Sequence, residues 1–274
     1  MNNENILNGK LEAEKIFLDL KKQIAKLKFK PTLAVILVGN DPASKIYVGI
    51  KEKRAKELGV VFQKHLLSES ITEKKLINLI QKLNVDKKIT GILLQLPLPK
   101  KFKANKIIAN ITTEKDVDGL NSDKRQATSD KIIVSPTIQS IIHLIKLPKQ
   151  KLTGKKAVIL CHNKEFALPL QSELKRKSIK TETVLCSDFK KHNSLFFINY
   201  SIVIVALGKK YFIKTEMIKK NALIIDVGIN RVGKKIFGDV DPACLTKTKY
   251  ISPVPGGVGP LTVAYLFKNL LRLI

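Results

Sequence analysis

The sequence predicts an α/β fold with parallel sheets, divided into two α/β domains that face each other across a cleft. Short apolar runs of strand length alternate with segments of helical periodicity, and this alternation is typical of right-handed βαβ crossovers. A loop-rich stretch from Asp116 to Pro136 interrupts the alternation, after which a second cycle begins. The chain has 274 residues, which is enough for two domains with apolar cores of their own.

The first cycle starts with a helix and continues with strands and helices in turn. Apolar residues at helical spacing, beginning with Leu11, Ile16 and Leu20, predict a helix over about 9–28. The uninterrupted apolar run from Thr32 to Val38 is typical of a buried strand in a parallel sheet. The same reasoning predicts, in order, a helix over about 43–58, a strand over 60–66, a helix near 72–84 and a strand over 91–95.

The second cycle has the spacing of a Rossmann-like half with a parallel sheet. Its apolar runs predict strands at 157–160, 183–185, 202–205 and 223–227, with helical segments between the first three. A final helix over about 260–272 follows a dense Gly/Pro cluster, Pro253–Pro260. The predicted domains are residues 1–120, against which the C-terminal helix 260–274 packs back, and residues 121–259.

The composition excludes several classes of protein. Hydrophobic residues make up 44% of the chain, but no run of about 18 apolar residues is present, so no transmembrane helix is expected. The first residues lack the basic and apolar regions of a secretory signal. The three cysteines, Cys161, Cys186 and Cys244, form neither a disulfide framework nor a CxxC pair, which suits the reducing cytoplasm.

The net charge of +27 raises the question of nucleic-acid binding. Five of the 50 basic residues are arginines and the rest are lysines, whereas base readout and bidentate phosphate contacts favour arginine. The lysines are also spread along the whole chain. A general lysine bias therefore explains the charge better than a specific nucleic-acid site, although the positive field would attract small polyanions.

Tyr47 and Lys51 are the first candidates for chemistry. They are four residues apart on a predicted helix that starts at the carboxyl end of a predicted strand, where open α/β sheets bind ligands. Desolvation in an apolar cleft would lower the pKa of the Lys51 ammonium and make it a general acid or base. An ordinary solvated helix face is the alternative, since Lys45 and Lys53 lie nearby.

Three further segments have the composition of ligand-binding loops. Gln95-Leu-Pro-Leu-Pro99 either projects an amide over the sheet edge or only ends a strand. Asp116-Val-Asp-Gly119 either offers a carboxylate to adjacent N–H groups of a ligand or forms an Asx turn. The cluster Pro253–Pro260 lets backbone approach a ligand closely. The histidines lack metal-ligand spacing, and neither a nucleophile elbow nor a Walker A loop is present, so no metal site is expected.

With these segments in order, the chain resembles the bifunctional methylenetetrahydrofolate dehydrogenase/methenyltetrahydrofolate cyclohydrolase family. The resemblance extends over nearly the full length and is carried by five segments, Ser44–Lys51, Gly91–Pro99, Lys115–Gly119, Asp226–Asn230 and Ser252–Thr262. The last segment, Ser-Pro-Val-Pro-Gly-Gly-Val-Gly-Pro-Leu-Thr, is highly specific.

The resemblance implies an activity and a set of site residues. A tetrahydrofolate derivative would bind in the cleft, NADP (or NAD) on the second domain, and the protein would usually be a homodimer. Methylenetetrahydrofolate would be oxidised by hydride transfer, and the methenyl product hydrolysed to formyltetrahydrofolate. Lys51 would be the catalytic acid/base, with Tyr47 and Gln95 positioning it and the substrate. Substrate-binding residues would be Asp118, Pro97, Pro255, Gly256 and Gly257, and cofactor-binding residues Cys161, His162, Asn163, Ser187 and Ile229.

Departures from the family pattern lie in the cofactor-binding half. The family's Gly-Arg-Ser turn is Cys161-His-Asn163 here, and no glycine occurs from 155 to 207, so side chains at 161 and 167 would hinder close approach of a pyrophosphate. Cys186-Ser-Asp188 stands where the family commonly has His-Ser-Arg, and a carboxylate there favours NAD over NADP.

Three hypotheses follow for the function. The chain is the full bifunctional enzyme with altered cofactor binding, or a cyclohydrolase whose dehydrogenase activity is weak, NAD-dependent or lost, or a non-catalytic folate-binding or interaction protein. The presence of both Lys51 and Tyr47 counts against the third hypothesis.

Overall fold

A computed structural model describes residues 5–121, 133–189 and 194–274. The helices are α1 (Gly9–Ala25), α2 (Pro42–Leu58), α3 (Glu73–Val85), α4 (Ala104–Ile108), α5 (Pro136–Lys146), α6 (Lys164–Lys175) and α7 (Val258–Arg272). The strands are β1 (Thr32–Val38), β2 (Val61–Leu67), β3 (Gly91–Leu94), β4 (Lys156–Cys161), β5 (Lys180–Leu185), β6 (Ile202–Ala206), β7 (Leu223–Asp226), β8 (Asn230–Val232), β9 (Lys235–Phe237) and β10 (Tyr250–Ile251). Short 3-10 helices occupy Ser194–Asn199, Thr215–Met217 and Pro242–Thr246.

The chain divides into two compact units. Residues 14–136 and 263–274 form one, here called the N-terminal unit, and residues 1–13 and 137–262 form the other, the central unit. The first residues join the central unit because the Leu7 N–H donates to the Ile251 carbonyl and the Lys10 N–H donates to the Gly256 carbonyl. These units differ from the predicted domains, 1–120 and 121–259, mainly at residues 1–13 and 121–136. The division of folate and cofactor binding between domains stays a prediction.

The N-terminal unit contains a parallel three-stranded sheet in the order β2-β1-β3. All seven residues of the central strand β1 are buried, as its continuous apolar run predicted. Helix α3 places Leu76, Ile80 and Leu83 against this sheet at helical spacing. The predicted strands and helices of the first cycle are confirmed to within about three residues at each end.

The segment that follows α4 is fixed to the sheet and to α7. The Ile92 N–H of β3 donates to the Lys115 carbonyl at 2.7 Å, so the chain runs on beside β3. The Asn269 side chain on α7 donates to the carbonyls of Val117 at 2.9 Å and Val134 at 3.0 Å. Residues 115–118 are therefore held at the edge of the N-terminal sheet.

The central unit contains a parallel five-stranded sheet in the order β10-β7-β6-β4-β5. The chain moves outward from β4 to β5 and then returns past β4 to β6 and β7, which is the doubly wound connection of a Rossmann-like sheet. Helix α6 connects β4 to β5 as predicted, but the helical segment expected between β5 and β6 is the 3-10 helix Ser194–Asn199 in the described residues. The predicted α/β class with a Rossmann-like second half is confirmed.

Some elements were not predicted from the sequence. The sequence pattern predicts neither the short helix α4, nor the helix α5, nor the hairpin of β8 and β9, nor the two-residue strand β10. Within the described ranges, no helix is both long enough and apolar enough to cross a membrane.

The first residue of α1 makes a close approach that no residue with a side chain could make. A Cβ atom added at Gly9 would lie 1.9 Å from the Gly257 carbonyl oxygen, in a backbone that cannot move away without displacing the Gly/Pro segment. In contrast, a Cβ at Gly49 on α2 would meet no atom within 4 Å.

We expect G9A to lower the free energy of unfolding by about 1–3 kcal/mol because the added methyl group overlaps backbone atoms. The matched change G49A removes a glycine from a helix without a clash and should raise the free energy of unfolding by about 0.5–1 kcal/mol. Urea denaturation of the two variants and the parent measures both effects. Equal stability of G9A and the parent protein would contradict the close approach.

Candidate active site

Helix α2 places a lysine on its buried face. The Asp41 carboxylate caps the helix by accepting from the Ser44 N–H at 2.7 Å. The buried residues of this helix follow a spacing of three and four, and they are Ser44, Val48, Ala55 and Leu58. Lys51 occupies the missing position of that stripe. The alternative of an ordinary solvated helix face is therefore wrong for Lys51.

Gln95 follows directly after strand β3 and is buried. Its backbone N–H donates to the Ile36 carbonyl at 2.9 Å, which continues the sheet ladder to this residue. Its side-chain Nε2 donates to the Leu96 carbonyl at 2.7 Å, and this contact orients the amide. The amide oxygen Oε1 consequently points to Lys51 and accepts from its Nζ at 2.9 Å.

The two carboxylates of the Asp116–Gly119 segment have different roles. The Asp116 carboxylate is buried and accepts from the backbone N–H groups of Asp118 at 3.1 Å, Gly119 at 2.9 Å and Asn121 at 2.8 Å. Asp116 therefore forms the Asx turn that was one alternative for this segment. The turn presents Asp118, which is half-buried and interacts electrostatically with Lys51.

The surroundings of this cluster bring the pKa of the Lys51 ammonium and the pKa of the Asp118 carboxyl closer together. Burial lowers the pKa of the Lys51 ammonium, and the Asp118 charge raises it in part. Burial also raises the pKa of the Asp118 carboxyl to about 6, where the Lys51 charge lowers it and the Asp116 charge raises it. An amine with a lowered pKa, held by one amide oxygen, gives up its proton more readily than an exposed lysine and is suited to act as a general acid or base.

The remaining predicted residues of this site lie nearby in the chain or in the other unit. Tyr47 is half-buried one helical turn before Lys51, and Pro97 is exposed two residues after Gln95. The structure thus brings together Lys51, Gln95 and Asp118. Pro255, Gly256 and Gly257 belong to the central unit.

The Gly/Pro segment of the central unit is anchored just before its start and in its middle. The Ser252 hydroxyl before it accepts from the Asp226 N–H at 2.8 Å, and within it the Gly256 carbonyl accepts from the Lys10 N–H at 2.8 Å. Pro255 is exposed, and Gly256 has a φ of +112°, a conformation that favours glycine. The segment therefore presents backbone to the surface in a fixed conformation.

The turn after β4 combines three of the predicted cofactor-binding residues. The Cys161 thiol is buried and donates to the Asn163 carbonyl at 3.2 Å, and burial raises its pKa. The Asn163 side chain caps α6 by accepting from the Phe166 N–H at 3.0 Å. His162 contacts the Leu207 carbonyl through Nε2 at 2.5 Å.

The side chains that were expected to obstruct this turn face the interior. Cys161 and Ala167 are each 1% exposed, so neither covers the surface at the start of α6. Helix N-termini carry backbone N–H groups that lack partners within the helix, and they attract phosphate. The start of α6 therefore lacks the obstruction that was expected from these two side chains.

Beside this turn, the end of β5 is tied to the end of β4. The Cys186 N–H donates to the Cys161 carbonyl at 2.8 Å, and the exposed Ser187 follows. A groove of about 680 Å³ runs between α6 and β5, with Lys164 and Asp188 among its lining residues. Ile229, after β7, is 45% exposed, which leaves an apolar side chain available to a flat ring.

Sequence reasoning gave no role to two buried carboxylates of the central unit, Asp226 and Asp239. The signal that could have found them is the glycine near each, in Asp226-Val-Gly228 and Gly238-Asp239, within a strongly basic chain. Among the residues that the structure describes, no group of three or more His, Cys, Asp or Glu side chains is placed to hold a metal ion.

Comparison with known proteins identifies both halves of the chain. Residues 7–118 match the catalytic domain of tetrahydrofolate dehydrogenase/cyclohydrolase, and residues 135–274 match the NAD(P)-binding domain of the same family. The bifunctional protein FolD of Wolbachia pipientis is 39% identical over 278 residues, which cover 97% of this chain and 94% of that protein. FolD of Chlamydia caviae is also 39% identical, over 96% of both chains.

Solved structures agree with this assignment. The bifunctional FolD of Campylobacter jejuni superposes with a TM-score of 0.91 at 36% identity and covers 98% of this chain and 97% of that one. The Trypanosoma brucei FolD, solved with NADP and an inhibitor, has a TM-score of 0.88 at 27% identity and covers 100% of this chain and 98% of that one. With both domains matched over nearly the full length, this chain belongs to the tetrahydrofolate dehydrogenase/cyclohydrolase family and is a bifunctional enzyme of folate one-carbon interconversion.

Proposed function

We propose that Lys51 is the acid/base of the cyclohydrolase step and that Gln95 and Asp118 set its protonation and position. The observation that carries this proposal is the 2.9 Å contact between the Lys51 Nζ and the Gln95 Oε1 on the buried face of α2. In this proposal the neutral amine accepts a proton from the water that attacks the methenyl carbon. The ammonium then returns a proton to the ring nitrogen as its C–N bond breaks, and the second water proton passes to solvent.

The Asp118 carboxylate is proposed to bind the pterin ring. A carboxylate has two oxygens that can accept from two adjacent N–H groups of such a ring. The Asx turn of Asp116 supports this role, because it fixes the backbone of Asp118 with a 3.1 Å hydrogen bond. Tyr47 and Pro97, close in sequence to Lys51 and Gln95, are proposed to position the ring, and Pro255, Gly256 and Gly257 to present backbone to the substrate.

The central unit is proposed to bind the oxidant of the first step. A bound nicotinamide dinucleotide would accept the hydride from the methylene carbon. Asn163 at the start of α6 orders the turn for the pyrophosphate, and Ile229 offers an apolar contact to a ring. Cys161, His162 and Ser187 complete the proposed set of cofactor-binding residues.

The preference between NAD and NADP depends on the end of β5. Asp188 lines the groove beside α6, and its negative charge would repel the adenosine 2′-phosphate of NADP. Lys164 lines the same groove and would attract that phosphate. We propose that the carboxylate dominates and that NAD is the better ligand, although the Trypanosoma brucei relative was solved with NADP.

Oligomeric state and location are proposed on simpler grounds. A homodimer is supported by β5, which in the described part of the chain pairs only with β4 and leaves one strand edge uncovered. A cytoplasmic location is supported by the three cysteines, all of which are free thiols.

K51M should lower the rate of methenyltetrahydrofolate hydrolysis by about 10²–10⁴-fold, because the methionine side chain fills the same space without a proton-transfer group. K53M changes an exposed lysine of the same helix and should leave the rate unchanged. The assay is the loss of methenyl absorbance with folded proteins of equal concentration. Hydrolysis by K51M at the parent rate would reject the assignment of the acid/base.

The acidic limb of the pH profile should report Asp118. Its raised pKa of about 6 means that the carboxyl takes up a proton as the pH falls through that value and loses the charge that binds N–H groups. We expect kcat/KM for hydrolysis to fall steeply below about pH 6, where protonation of Asp118 adds to the decline that protonation of the Lys51 amine causes as the pH falls. In D118N the KM should rise about tenfold or more and this steep acidic limb should disappear, which leaves only the decline from Lys51. An unchanged limb in D118N would assign it to another group.

Isothermal titration should show tighter binding of NAD⁺ than of NADP⁺ to the parent protein. D188S removes the repulsion of the 2′-phosphate, so its affinity for NADP⁺ should rise about tenfold while its affinity for NAD⁺ changes little. E216S, which changes an exposed carboxylate elsewhere in the central unit, is the control. A parent protein that prefers NADP⁺ would contradict the role given to Asp188.

A further inference from the structure

Asp239 is a fully buried carboxylate that accepts four hydrogen bonds. One oxygen, Oδ2, accepts from the backbone N–H groups of Leu207 at 2.6 Å and Gly208 at 3.0 Å. The other, Oδ1, accepts from the Lys209 N–H at 2.7 Å and the Asn230 side-chain amide at 2.8 Å. Three of these donors follow β6 in the chain, and the fourth is the residue after Ile229. One side chain therefore holds the loops at the carboxyl ends of two neighbouring strands.

A second carboxylate fixes the backbone around Asp239. Asp226, the last residue of β7, accepts from the N–H groups of Asp239 at 3.1 Å, Val240 at 2.9 Å and Gly228 at 2.9 Å. Its own N–H donates to the Ser252 hydroxyl at 2.8 Å. The backbone at Asp239 is therefore held by Asp226, which is itself part of the sheet.

Two glycines make room for the two carboxylates. A Cβ added at Gly228 would lie 2.1 Å from the Asp239 Cγ, and a Cβ added at Gly238 would lie 1.9 Å from the Asp226 Oδ2. No side chain fits at either position while the carboxyl groups remain in place. The backbone is therefore shaped around these carboxyl groups and not around an apolar core.

The network also reaches the turn after β4. The Nε2 of His162 contacts the Leu207 carbonyl at 2.5 Å, and because a carbonyl can only accept, this nitrogen carries the hydrogen. Leu207 is one of the residues whose N–H donates to Asp239. The turn Cys161–Asn163 is in this way tied to the loop that Asp239 holds.

We propose that Asp239 is the positioning residue of the dinucleotide site. It holds the loops after β6 and β7 directly and the turn after β4 through Leu207 and His162, and these strand ends are where open α/β sheets bind ligands. Asp239 touches no ligand itself, since its four acceptor positions are all used by the protein. In a chain without glycine from 155 to 207, this carboxylate fixes the backbone at the strand ends that neighbour the turn after β4. The proposal rests on the proposed binding of a dinucleotide by the central unit.

The test is calorimetric titration of NAD⁺ and NADP⁺ into D239N and the parent protein. An asparagine amide would turn its NH₂ group toward two N–H donors, so the Kd for the better ligand should rise about tenfold or more. D241N is the matched control, because Asp241 lies two residues away and its carboxylate accepts only from the Lys214 ammonium and the Ala243 N–H among its described hydrogen bonds. Its Kd should stay within about twofold of the parent value.

Two further measurements separate positioning from general loss of structure. The KM for methenyltetrahydrofolate in the hydrolysis assay should change less than the dinucleotide Kd, since Lys51, Gln95 and Asp118 belong to the other unit. If D239N does not fold, N230A removes a single donor to the same carboxylate and should raise the Kd about 3- to 10-fold.

The outcomes distinguish this proposal from the proposed function. Dinucleotide binding by D239N or N230A with the parent Kd would overturn the role of Asp239 and leave the proposed function intact. An equal rise of the methenyltetrahydrofolate KM and the dinucleotide Kd in the variants would also overturn it, because the effect would then be general. A parent protein that binds neither dinucleotide would overturn both proposals.

Discussion

The proposed chemistry of this protein depends on one amine, that of the half-buried Lys51. Lys51 takes a position in the buried stripe of α2 that an apolar residue would ordinarily fill, and burial lowers the pKa of its ammonium. The cost of burying the amine is offset by the Gln95 amide oxygen and by the charge of Asp118. Two elements of the N-terminal unit place the partners of Lys51. Strand β3 carries Gln95 to the sheet edge, and the Asx turn of Asp116 sets Asp118.

The central unit also buries charged groups, and there the buried groups are carboxylates. Asp226 and Asp239 are buried carboxylates, and burial raises the pKa of Asp226 to about 7. They are tolerated because backbone N–H groups supply the hydrogen bonds that water would otherwise make. These hydrogen bonds fix the loops after β6 and β7. Both units thus use buried charge to place irregular backbone at the ends of parallel strands.

The changes in the turn after β4 are less disruptive than the sequence indicated. Loss of glycine at 161 and 167 suggested a blocked pyrophosphate site, but both side chains are buried under the turn. The capping oxygen of Asn163 and the contact of His162 with the Leu207 carbonyl keep the turn ordered. Together with the match of both family domains, this favours the bifunctional enzyme over a cyclohydrolase alone or a non-catalytic binding protein.

The sequence by itself determined the α/β class and the strands of both parallel sheets except the short β10, and it supplied the residues proposed for the catalytic cluster, because strand burial and short motifs are local properties. It left open whether Lys51 faced water and whether the segment Asp116–Gly119 offers a carboxylate to a ligand or forms an Asx turn, since both answers depend on what packs against these side chains. Only the tertiary structure decided them, through the contact with Gln95 and the hydrogen bonds of Asp116. The role of Asp239 could not be predicted for the same reason, as its four donors come from residues 207–209 and 230, which lie 9 to 32 positions away in the chain.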